Sequence, residues 1–113
     1  MPGSGYGHTM TFELRTYRST PGRMDSLLAR FRDHTDAIFA THGMVSLGYW
    51  VSDSDADTLI YVLRHDGDPA LNWAAFQADP AWQAAKAESI EGGEIVAGIE
   101  SVMMSPTDFS RAT

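Results

Sequence analysis

The sequence contains no cysteine. Disulfides, thiolate metal centres and a cysteine nucleophile are therefore excluded, and the composition suits the cytosol. Cations are few. Eight lysines and arginines stand against fifteen aspartates and glutamates, a net charge of -7 at pH 7. The isoelectric point is near 4.8. Such a field repels a phosphate backbone. Arg15, Arg18, Arg23, Arg30 and Arg32 are spread over a strand, a turn and a helix rather than clustered. A nucleic-acid partner is not expected. Neither is a membrane span, because no apolar run reaches the roughly 20 residues it requires. No internal repeat, low-complexity tract or Gly-x-Ser-x-Gly nucleophile motif is present. No two histidines have metal-binding spacing, so a zinc site is not expected.

What is present fits one folded domain. The chain has 113 residues, of which 43% are hydrophobic, 11% aromatic and 20% charged. Residues 1–9 are Gly/Ser-rich, lack the apolar stretch of a signal peptide, and are expected to form a flexible arm. Residues 10–106 should form the domain and residues 107–113 a short tail.

Met10 to Tyr17 alternates, with Phe12 and Leu14 on one face and Glu13, Arg15 and Tyr17 on the other, which predicts a strand. Thr20-Pro21-Gly22 breaks it. Met24, Leu27, Leu28, Phe31, Ile38 and Phe39 then form an apolar stripe at helical spacing, predicting a helix from about Arg23 to Thr41. His34 and Thr35 fall inside that stripe, and Gly43 ends it. A second strand is expected over Met44 to Val51, with Val45, Leu47, Tyr49 and Val51 on one face and Ser46, Gly48 and Trp50 on the other. Asp53, Asp55 and Asp57 lie in a solvated acidic turn that lacks the glycine and distal glutamate of a calcium loop. Thr58 to His65 is the third strand, joined to the second as an antiparallel hairpin. Ala70 to Ala78 reads as helix. Asp79-Pro80 caps and starts another, which stops near Gly92-Gly93. A last strand over Glu94 to Ser105 puts Val96, Val102 and Met104 on one face and Ile95, Ile99 and Met103 on the other.

This order predicts an α+β, ferredoxin-like β-α-β-β-α-β protomer, an antiparallel sheet with helices on one face. The bare face should be polar, yet Leu59-Ile60-Tyr61-Val62-Leu63 is apolar at every position. A sheet apolar on both sides needs cover on both. A homodimer is the simplest cover, with two-fold symmetry the default.

Certain runs resemble the NIPSNAP family, within the larger group of dimeric α/β-barrel proteins. They are Phe12-Glu13-Leu14-Arg15-Thr16-Tyr17, Pro21-Gly22, Gly48-Tyr49-Trp50, Thr58-Leu59-Ile60-Tyr61, and Trp73-Ala74-Ala75-Phe76-Gln77-Ala78-Asp79-Pro80-Ala81-Trp82. The resemblance covers about residues 10 to 105. It implies a dimer whose two sheets form a barrel and says little about activity. Members of the larger group include cofactor-free oxygenases of aromatic polyketides, haem-degrading oxygenases, isomerases and polyketide cyclases. Their ligands are flat or apolar and bind between helices and sheet. Fold analogy alone does not choose among these.

His34, inside an apolar stripe, is expected to point at the sheet. It is either a core histidine or a proton carrier in the pocket. As a single axial ligand it would also suit haem; otherwise no cofactor is expected. Glu13, Arg15 and Tyr17 stand about 7 Å apart in turn along one strand face. They could take a proton, hold a carboxylate or enolate, and donate a proton, respectively, or they could form a structural ion-pair network. Trp50, Tyr61, Trp73, Phe76 and Trp82 are either core or a stacking surface for a planar ligand. A cofactor-independent enzyme and a non-catalytic binding or assembly module both fit these residues.

Overall fold

A computed structural model describes residues 10–111. The expected arm, residues 1–9, lies outside the described residues. The chain runs through β1 (Thr11–Ser19), α1 (Met24–Arg30), a π-helical turn (Phe31–Thr35), α2 (Asp36–Thr41), β2 (Met44–Ser52), β3 (Asp55–His65), α3 (Pro69–Gln77), α4 (Pro80–Ser89) and β4 (Val96–Met104). The strands pair antiparallel in the order β2-β3-β1-β4. With the helices on one face, this is the α+β ferredoxin-like fold that the element order predicts. No helix among the described residues is long and apolar enough to cross a membrane.

Two aspartate–proline pairs start the second helical segment. Asp68 accepts from Ala70 N and Asp79 from Ala81 N, both at 2.8 Å, with Pro69 and Pro80 at the first helical positions. Asp79 also accepts from His42 Nε2 at 2.7 Å, which ties the start of α4 to the end of α2. Gly43 takes φ +75° there, and a Cβ on it would stand 3.1 Å from the Asp66 carbonyl.

The core between the layers is mainly aromatic. Phe39 stacks or edges against Phe31, Tyr61, Trp73 and Phe76 at centroid distances of 4.9–6.2 Å. Leu59, Tyr61 and Leu63 of β3 point into it fully buried, while Ile60 and Val62 face the other side of the sheet, half-buried. The outer face carries Val62, Leu14 and Val102 in one cross-strand row and Trp50 beside Ile60 in the next. Trp50 is 54% exposed, Val102 53% and Leu47 45%. The expected tail begins against this face, where Pro106 and Thr107 border an apolar hollow with Phe12, Leu47 and Met104.

Strict periodicity is broken at several points. Within the first helix, the turn Phe31–Thr35 is π-helical, and Thr35 Oγ1 donates to the Arg30 carbonyl at 3.2 Å. A π turn takes up one extra residue, so the buried stripe continues at Phe31, Thr35 and Phe39. In β2 the register slips between Ser46 and Gly48, leaving Leu47 as a bulge. Met44 and Tyr49 therefore face the helices, whereas Leu47 joins Gly48 and Trp50 on the outer face. The expected grouping of Val45 and Leu47 with Tyr49 is thus corrected. In β4 the slip opposite Arg18 and Ser19 turns Val96 to the same side as Ile99 rather than that of Val102.

Truncating the aromatic hub should be expensive. Phe39→Ala is expected to lower unfolding free energy by about 3–5 kcal/mol, and Leu71→Ala, 68% exposed, by less than about 0.5 kcal/mol. Urea denaturation followed by circular dichroism measures both. Similar losses for the two would contradict the assigned core.

Candidate ligand-binding cavity

Alternation along β1 points Glu13, Arg15 and Tyr17 at the helix layer. Glu13 is 1% exposed, and both its oxygens are occupied. Oε1 accepts from His65 Nε2 at 2.7 Å and from Trp73 Nε1 at 2.8 Å. Oε2 accepts from Arg15 Nη1 at 3.0 Å and from Ser101 Oγ at 2.5 Å. Burial alone would raise the Glu13 pKa. The hydrogen bonds from His65, Ser101, Trp73 and Arg15 overcome it and hold the carboxyl at about 2.

His65 is oriented from behind. Asn72 Nδ2 donates to the Asp66 carbonyl at 3.0 Å and lies 3.2 Å from His65 Nδ1. That amide nitrogen is a donor, so Nδ1 accepts and the ring proton sits on Nε2, facing Glu13. His65 continues the inward row Leu59, Tyr61, Leu63 and is completely buried.

Arg15 fans out over three partners. Besides Glu13, its Nε donates to Tyr61 Oη at 2.9 Å and its Nη2 to Tyr17 Oη at 3.0 Å. Its guanidinium carbon stands 4.2 Å from the Trp73 ring centroid. Burial works against the charge of Arg15, but the oxygens of Tyr61, Tyr17 and Glu13 more than offset it. Tyr61 Oη donates on to Tyr17 Oη at 3.2 Å. Tyr17 Oη thus accepts twice, and among the described residues no acceptor takes its own proton.

Above this network lies a cavity of about 250 Å³. Arg15 and Tyr17 form its floor. Phe31, Thr35, Phe39, Trp73, Phe76 and Trp82 wall it. Arg30, Gln77, Lys86, Glu94, Val96 and Ile99 complete the lining. Ile99 is half exposed because β4 has side chains open to solvent on both faces, so the cavity opens at that edge of the sheet.

Of the residues expected at a site, Arg15, Tyr17, Trp73 and Phe76 line one cavity, and Glu13 and Tyr61 stand directly behind them. His34 and Trp50 do not join them. The π turn carries His34 off the buried stripe into an open groove with Ser26, Asp33, Ala85 and Glu88. The expectation that it faces the sheet is corrected. Trp50 lies on the outer sheet face, with its ring over Gly48, where a Cβ would approach it to 2.6 Å. Haem does not fit this arrangement, since no histidine lines the cavity and His34 stands outside it. Among the described residues no group of three or more His, Asp or Glu side chains could hold a metal ion. Sequence reasoning passed over His65, Asn72, Arg30 and Lys86. For His65 the signal was its place in the inward row of β3. For Arg30 it was its position three residues after Leu27 on the first helix.

The Glu13 network links stability to pH. Its carboxyl is lowered from the usual 4.5 to about 2. The stabilisation is therefore complete above about pH 4.5 and is lost as pH falls through about 2, at up to about 3 kcal/mol. Glu13→Gln should cost about 3–5 kcal/mol by leaving Arg15 uncompensated, and should abolish that part of the acid dependence. Urea unfolding of both proteins between those pH values checks this. An unchanged acid limb in Glu13→Gln would contradict it.

The family comparisons agree with this architecture. The NIPSNAP family model matches residues 12–111. A NIPSNAP family protein of unknown function from Agrobacterium tumefaciens superposes with a TM-score of 0.79 at 26% identity, covering 94% of this chain and 96% of that one. A second NIPSNAP family protein from the same organism gives 0.79 at 27%, covering 92% and 99%. A putative antibiotic biosynthesis monooxygenase from Chloroflexus aurantiacus shares the fold, with a TM-score of 0.61 at 24% identity, covering 88% and 94%. No curated protein matches the chain significantly. With a family match from the first strand to beyond the last, and the same fold in its solved members, the chain belongs to the NIPSNAP family.

Proposed function

We propose that the cavity binds a small, partly aromatic or apolar molecule between helices and sheet. The observation that carries this is the combination of aromatic walls with a fixed polar floor. The rings supply stacking area, and Arg15 and Tyr17 supply orientation. The floor is preorganised because the Glu13 carboxylate holds Arg15 and thereby Tyr17.

The same floor favours one use beyond binding. A cation and a phenol whose proton is unclaimed can both donate to an oxygen on which charge develops, such as a carbonyl becoming an enolate. This is the chemistry of a cofactor-independent oxygenase, isomerase or cyclase. Glu13 is then a positioning residue rather than a base, since four donors occupy its oxygens. Proton transfer by His34 drops out of the scheme because its side chain is elsewhere. Tyr17 remains the proton donor.

We further propose that a second copy covers the outer sheet face. Leu47, Trp50 and Val102 are each about half exposed there, and Leu14, Ile60 and Val62 extend the patch. Light scattering at micromolar concentration should give a dimer, and Val102→Glu should shift it to monomer. A monomeric wild type would overturn this part.

Binding is tested with 2-naphthamide as a neutral probe, followed by the indole N–H signals of the protein. Trp73 and Trp82 should shift and Trp50 should not, and Ile99→Trp at the exposed mouth should weaken binding at least about tenfold. An absence of shifts at millimolar probe would sink the reading.

A further inference from the structure

We infer that the ligand of this cavity is an acid, and that Arg30 receives its carboxylate. The inference rests on the reading of the cavity as a binding site and names the class of molecule that fills it.

Arg30 is 7% exposed, yet among the described residues it has no carboxylate within ion-pair distance. Nη1 donates to Ser89 Oγ at 3.1 Å, and the guanidinium carbon lies 5.1 Å from the Trp82 ring centroid. Its Nε is buried and has no hydrogen-bond acceptor among the described residues. A buried donor without an acceptor requires an explanation, and so does a buried cation without an anion. Arg64 Nε is also without a hydrogen bond, but that side chain is 31% exposed and lies 3.9 Å from Asp66. Arg30 is more deeply buried, and Glu94 reaches it only from beyond ion-pair distance.

The charges around the cavity point the same way. Glu13 neutralises Arg15. Lys86 and Glu94, both exposed, stand at the mouth, and Glu94 acts on Arg30 from beyond ion-pair distance. With Glu13 counted behind Arg15, three cations face two carboxylates, so the cavity carries one unbalanced positive charge. A monoanion matches it. Carboxylate suits a guanidinium, because the planar fork can donate in parallel to two oxygens.

The local backbone supports the placement. Arg30 directly precedes the π turn, and Thr35 Oγ1 anchors its carbonyl. Arg30, Phe31 and Thr35 all line the cavity as a result. Such turns recur at functional sites because they redirect side chains that a regular helix would turn away.

The experiment compares 2-naphthoate with 2-naphthamide, which share shape and differ in charge, by calorimetry and by the Trp73 and Trp82 indole signals. The wild type should bind naphthoate at least about tenfold more tightly. Arg30→Met should erase that preference, bringing the two affinities to within about twofold of each other. Equal affinities in the wild type, or a preference surviving in Arg30→Met, would overturn the assignment while leaving the cavity reading intact. Failure of both probes to move the two indoles would overturn the cavity reading and this inference with it. Should Arg30→Met not fold, salt dependence on the wild type decides. A preference owed to buried Arg30 persists from about 20 to about 500 mM salt, whereas one owed to exposed Lys86 collapses and refutes the inference.

Discussion

A single carboxylate, that of Glu13, organises the face of the sheet on which the cavity sits. Its four donors come from β1, β3, α3 and β4. A buried charge is costly unless its lone pairs are satisfied, and here each partner is also held by something else. Asn72 orients His65, the Trp73 ring supports Arg15, and Tyr61 and Tyr17 share the far side of the same guanidinium. The network therefore joins three adjacent strands to the second helical segment and fixes the polar floor in one geometry. Of the two roles open in the sequence, a structural ion pair and a ligand-orienting group, the network fills the first. Glu13 serves the fold, and Arg15 and Tyr17 face the cavity that the fold leaves.

The asymmetric cover of the sheet explains where that cavity opens. Helices seal β3, whose Leu59, Tyr61 and Leu63 are fully buried, but Ile99 and Met103 of β4 are about half exposed. The aromatic core consequently ends in a concavity at the β4 edge instead of closing over it. The opposite face presents a different surface, an apolar patch around Leu14, Val62 and Val102 with Thr16, Arg64 and Glu100 beside it. The single strand β3 serves both sides, with Tyr61 behind the floor and Ile60 and Val62 turned outward.

Much of this was legible in the chain because period and punctuation are local. Alternation in β1 placed Glu13, Arg15 and Tyr17 on one face, and Asp79-Pro80 marked a helix start that the structure contains. The same signal stands at Asp68-Pro69, where the helix begins one residue before the expected Ala70. The errors arose where one residue is added to a repeat. The π turn displaced His34 from the stripe, the Leu47 bulge separated Val45 and Leu47 from Tyr49, and the slip in β4 moved Val96 beside Ile99. Such insertions are stabilised by tertiary packing and leave little local trace. Arg30 was harder still, since a charged residue on a helix is ordinarily solvated and only the assembled layers show it to be buried.

The account depends on Glu13 being ionised and fully hydrogen-bonded inside the protein. Carbon-13 NMR of its side-chain carboxyl, titrated downward from neutral pH, measures this at the atom concerned. Glu13 should show no ionisation step in the ordinary carboxylate range and a midpoint near 2. A midpoint at or above the usual glutamate value of about 4.3 would contradict it, because the carboxylate would then lack the donors on which the floor of the cavity is built.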